Sequence, residues 1–67
     1  MAKIQINGRK TTIKLNSSIS DILKKYKVNE KKVAVELNGV IIVKNNYKKK
    51  KIKENDRIEI VQFIGGG

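Results

Sequence analysis

Apolar residues recur with two different periods along the chain. In "AKIQIN", Ile4 and Ile6 alternate with Lys3, Gln5 and Asn7, and "TTIKL" repeats the alternation through Ile13 and Leu15. Period two is the signature of half-buried strands, and Asn7-Gly8 between the segments tolerates the positive φ of a tight hairpin. In "SSISDILKKYKV" the period changes: Ile19, Ile22, Leu23 and Tyr26 fall at i, i+3, i+4 and i+7, one stripe of an amphipathic helix. Ser18 reads as the N-cap, with Asp21 three residues on as a carboxylate variant of the capping box. Lys24, Lys25 and Lys27 then suit the negative end of the helix dipole.

"VAVELNGVIIV" predicts a second hairpin around Asn38-Gly39, with Val33, Val35 and Leu37 on one face and Ala34 and Glu36 on the other. In the polar stretch "KNNYKKKKIKEND", Tyr47 and Ile52 are the expected anchors, and the Lys48–Lys51 run reads as a solvated loop. Asn55-Asp56 predicts a turn and "RIEIVQFI" a final strand. The order β-β-α-β-β-β with one helix implies a two-layer α+β sandwich, since one helix covers one face of a sheet. Ile4, Ile6, Ile13, Leu15, Val33, Val35, Leu37, Ile58 and Ile60 are expected to face the helix.

If Ile58 and Ile60 point inward, Arg57, Glu59, Val61 and Phe63 point outward. Val61 and Phe63 then form an exposed apolar patch that leads straight into Gly65, Gly66 and Gly67. The alternative is a bulge that buries Phe63. Three glycines resist ordering, so the tail reads either as a frayed terminus or as a segment presented to a partner.

Composition narrows the chemistry. Sixty-seven residues make one small domain without Cys or His, which removes disulfides, thiolate nucleophiles and the usual general base. The carboxylates Asp21, Glu30, Glu36, Glu54, Asp56 and Glu59 are scattered, and a turn explains the nearness of Glu54 to Asp56. Self-contained catalysis is not expected. The longest apolar run, Val40 to Val43, is far short of the roughly 20 residues of a membrane-spanning helix. A soluble cytoplasmic protein is therefore expected. The net charge of +10 raises the question of nucleic acid, but the basic residues are almost all Lys, with Arg9 and Arg57 the two arginines. Charge without Arg forks gives weak base readout, and the abundance of Lys, Asn and Ile also follows from AT-rich codons.

The chain resembles the ThiS family, the ubiquitin-like β-grasp sulfur carriers of thiamine biosynthesis. The resemblance spans residues 1–67 and rests on length, element order, "VAVELNG", "ENDRIEIV" and "FIGGG". It implies a single two-layer β-grasp domain with a mixed sheet of four to five strands, one helix on one face and a flexible tail 64–67. In such a fold the last strand lies between the first and third, gathering Ala34, Val61 and Phe63, with Ile64, into a partner-binding face. Gly65 and Gly66 would form the tail, and Gly67 would carry the adenylate and then the thiocarboxylate. The implied partners are a ThiF-like adenylyltransferase using ATP and magnesium, a cysteine desulfurase or other sulfur donor, and a ThiG-like thiazole synthase. No cofactor is expected on the chain itself.

An α-carboxyl has an ordinary pKa of about 3.3–3.7 and is ionised at neutral pH, ready to attack an α-phosphate. Relatives often carry Pro-Arg and an aromatic where Val43-Lys44 and Tyr47 stand here, and an Asp-Gly-Asp style turn in place of Glu54-Asn55-Asp56. The strong positive charge is also a departure. Carriers for molybdopterin synthesis or tRNA thiolation share the fold and the Gly-Gly end. A basic RNA-binding β-grasp module, using Lys48–Lys51, and a ubiquitin-like tag are further readings.

Overall fold

The computed structural model describes residues 1–63. Both Asn-Gly pairs adopt left-handed backbone, with φ of 50° and 82° at Asn7 and Gly8 and of 52° and 85° at Asn38 and Gly39. These are the two central residues of type I′ turns, whose twist matches that of the strands they join. They connect β1 (Ala2–Ile6) to β2 (Arg9–Ile13) and β3 (Val33–Leu37) to β4 (Val40–Ile42).

The helix α1 (Ile19–Lys25) begins as expected. Ser18 Oγ accepts from the Asp21 N–H at 3.1 Å, and Asp21 Oδ2 accepts from the Ser18 N–H at 2.9 Å. The Ser18 N–H, then its hydroxyl, holds the Asp21 carboxyl below its ordinary value, with Lys51 and Lys24 adding and desolvation opposing. The two preceding helical N–H groups are taken by the long polar loop: Ile19 donates to the Lys50 carbonyl at 3.1 Å and Ser20 to that of Tyr47 at 3.0 Å. The lysine run is thus tied by its backbone to the helix start, where the orphan donors of a helix must find partners. Buried Tyr47 and Ile52 pin the loop beneath α1.

At the other end of α1 the expectation for Tyr26 fails. The Val28 N–H donates to the Leu23 carbonyl at 2.9 Å and the Lys27 N–H to that of Lys24 at 3.0 Å, with Lys27 at φ 57°. This is a Schellman closure, which turns the chain out of the helix one residue after Lys25. Val28 packs against the core, and Tyr26 is left 45% exposed beneath the Lys25 ammonium.

The final strand, β5 (Arg57–Gln62), lies in the middle of a five-stranded sheet ordered β2-β1-β5-β3-β4. It runs parallel to β1 and antiparallel to β3, so the sheet is mixed and has one helix on one face. The core contains Ile4, Ile13, Val33, Val35, Leu37 and Ile58 from the sheet and Ile19, Ile22 and Leu23 from α1. Ile6 and Ile60 pack against it, half-buried. Leu15 is a second correction: it is 66% exposed. β2 ends at Ile13, and a turn closed by the Ser17 N–H on the Lys14 carbonyl, with Asn16 at φ 66°, lifts Leu15 off the sheet. Among the described residues no helix is long and apolar enough to cross a membrane.

Candidate functional site

The central strand is held on both flanks by the asparagines that make the hairpin turns. At its start, Asn38 Oδ1 accepts from the Arg57 N–H at 2.9 Å while Asn38 Nδ2 donates to Asp56 Oδ1 at 3.0 Å. Further along, the parallel ladder to β1 stops at Ile6↔Ile58, because β1 turns away at Asn7. The Asn7 side chain then continues the ladder: Oδ1 accepts from the Ile60 N–H at 2.7 Å and Nδ2 donates to the Ile60 carbonyl at 3.2 Å. On the other side β3 pairs through to Val33↔Gln62, and the Phe63 N–H donates to the Lys32 carbonyl at 2.9 Å. The strand is therefore anchored to its last residue.

The pairing runs residue for residue from Leu37↔Ile58 to Val33↔Gln62, so there is no bulge to bury Phe63. Val61 and Phe63 are 57% and 58% exposed on the face opposite α1, with half-buried Ala34 directly across from Val61. Ile41 (71% exposed) on β4 and Val43 (60%) just after it extend this strip, and with Ala34 and Phe63 they line a shallow apolar depression. From the sequence, Val43 stands out only as part of an apolar run and as a departure from the relatives' Pro-Arg, and Ile41 is not a site candidate. Counting outward from the Asn38-Gly39 turn would have found Ile41, whose partner Glu36 already belongs to the open face. Ile64, Gly65, Gly66 and Gly67 lie outside the described residues.

The carboxylates of the Glu54–Asp56 turn are structural, as expected. Glu54 Oε1 accepts from the Lys3 N–H at 2.9 Å and Asp56 Oδ2 from the Lys53 N–H at 2.7 Å. Among the described residues no group of His, Cys, Asp or Glu could hold a metal ion. What the molecule offers is a braced central strand and an exposed apolar strip that reaches Phe63 on the open face.

A sequence model of the ThiS family matches residues 4–67. The chain belongs to the ThiS family. It is 40% identical over 65 residues to the sulfur carrier protein ThiS of Bacillus subtilis, covering 96% of this chain and 98% of that protein. In that family it stands as a small sulfur carrier of thiamine biosynthesis, a cosubstrate rather than an enzyme. The crystal structure of the thiamine biosynthesis protein ThiS from Geobacter metallireducens superposes with a TM-score of 0.83 at 28% identity, covering 97% of this chain and 99% of that one. The fold is accordingly the ubiquitin-like β-grasp. A thiazole synthase of Paramagnetospirillum magneticum is 37% identical over 65 residues, a match that takes in 97% of this chain but 20% of that protein. The chain thus spans about a fifth of that relative's length.

Proposed function

We propose that Gly67 is the sulfur-bearing residue and that the apolar strip docks the enzymes that load and unload it. The observation that carries this reading is the family match running through residue 67, on a chain whose open face leads an exposed apolar strip toward that end. A carboxylate is a poor electrophile. A ThiF-like adenylyltransferase, with ATP and magnesium, would let a Gly67 carboxylate oxygen attack the α-phosphorus, expelling pyrophosphate. Hydrosulfide attack on the resulting acyl adenylate expels AMP and leaves a thiocarboxylate. A cysteine desulfurase is the upstream source of that sulfur, and a ThiG-like thiazole synthase consumes it. The similarity to a thiazole synthase supports that last partner. The protein acts in the cytoplasm, with no cofactor of its own.

The same reading gives the neighbouring residues their roles. Ala34, Val61 and Phe63, with Ile64 beyond them, are the docking contacts, since apolar groups at the centre of an interface are those that gain most from losing water. Gly65 and Gly66 carry no Cβ to obstruct a narrow channel. Incubation with a ThiF-like enzyme, ATP, magnesium and sodium sulfide should raise the intact mass by the difference between sulfur and oxygen, and the variant lacking Gly67 should stay unchanged. An unchanged mass for the full chain, with the enzyme active on another carrier, refutes the reading.

A further inference from the structure

Three lysines converge where β5 gives out. The Lys32 carbonyl receives the Phe63 N–H, and Lys44 Nζ donates to the neighbouring Lys31 carbonyl at 3.0 Å. Lys44 also lines the apolar depression beside Ala34, Ile41, Val43 and Phe63. All three lysine side chains are exposed. One carboxylate, Glu30, directly precedes Lys31 in the 3-10 turn Glu30–Lys32, and the others lie away from the end of β5. Asp21 caps α1, Glu54 and Asp56 hold the turn before β5, and Glu30 Oε2 accepts from Ser20 Oγ at 3.2 Å. Glu36 and Glu59 face each other across β3 and β5 in a separate depression that Arg57 shares. The rim at the exit of the last strand is therefore basic, on a chain whose net charge is +10.

We infer that the apolar strip fits a protein partner whose own apolar site is rimmed by carboxylates, set to meet Lys31, Lys32 and Lys44 at the end of β5. This rests on the tail being presented to an enzyme, as proposed above. An apolar centre with a charged rim is the anatomy of a protein–protein interface, and rim charges of opposite sign mainly raise the encounter rate and set the register. A second copy of this chain is a poor occupant, because two lysine-rimmed patches repel. Nucleic acid would answer the lysines but leave Ile41, Val43 and Val61 without apolar partners.

The test is kcat/KM for adenylation by the ThiF-like enzyme of the same organism, followed by ATP–pyrophosphate exchange over a range of ionic strength. The wild-type value should fall steeply with salt. Lys31→Glu, Lys32→Glu and Lys44→Glu together should lower it about tenfold or more at low salt and flatten the salt dependence. A charge-matched control on the helix side, Lys14→Glu, Lys24→Glu and Lys25→Glu, should stay within about twofold, which separates the patch from net charge. If the first triple melts, the same three positions as Gln should still lose about threefold with the fold intact.

A salt-independent wild-type rate, or equal losses in both triples, overturns the inference while leaving the carrier function standing. No adenylation of the wild type overturns both. A dimer at micromolar concentration, or submicromolar RNA binding, abolished by the first triple would assign the patch to another occupant and also overturn it.

Discussion

Replacing Asn7 with glycine isolates the device that holds the far half of the central strand. Glycine accepts the φ of 50° at this turn position, so the hairpin keeps its geometry, and only the side-chain amide is lost. That amide makes two hydrogen bonds, at 2.7 and 3.2 Å, to the backbone groups of Ile60, which have no strand partner on that side. A neutral hydrogen bond contributes about 0.5–1.5 kcal/mol net, and because water can reach the freed groups each of the two should sit in the lower half of that range. The expected loss is about 1–2 kcal/mol, which in a domain of this size lowers the thermal midpoint by about 4–16 °C. Hydrogen exchange localises the effect. The Ile60 amide should lose protection beyond the global change, while Val61, facing Ala34 across the sheet, should not. Asn38→Gly is the matched control, since it frees Arg57 and should leave Ile60 alone. An unchanged midpoint together with a normally protected Ile60 would show that the clamp contributes nothing.

The open and covered faces should respond oppositely to truncation. Ile22→Ala, in the core, should cost about 2–5 kcal/mol, whereas exposed Phe63→Ala should stay within about 0.5 kcal/mol by thermal melting yet slow adenylation. Lys27→Gly should stabilise the protein by about 1 kcal/mol, read from urea midpoints, because a lysine with φ of 57° occupies the left-handed closure that glycine adopts without strain. A destabilised Lys27→Gly variant would refute that strain. The Asp21 carboxyl titrates below its unfolded value in the native state, so its stabilisation is complete above about pH 4 and is lost as pH falls through the native value. Asp21→Asn should therefore flatten the acid limb of the stability curve below about pH 4, and an unaltered limb would assign the acid sensitivity elsewhere.

Features that depend on neighbours in the chain were legible from the residues alone. The two Asn-Gly turns, the Ser18–Asp21 capping box, the helical stripe through Ile19, Ile22 and Leu23, and the inward set on β3 follow from local backbone preference and periodicity. So does the exposure of Val61 and Phe63, given only that Ile58 points inward. The errors lie at element ends. Leu15 and Tyr26 each continue a period that the backbone has already abandoned, through the left-handed residues Asn16 and Lys27, and nothing in a hydrophobic pattern marks those two as turning points. The central place of the last strand came from resemblance to a known family, because strand order is a matter of long-range pairing that no local signal encodes. Tertiary structure alone decided the rest. It gave the turn asparagines their second use as clamps on β5, brought Lys31, Lys32 and Lys44 to the end of that strand, and set Ile41 and Val43 beside Phe63. Each of these contacts joins residues distant in sequence, and such contacts exist only once the sheet has closed around its final strand.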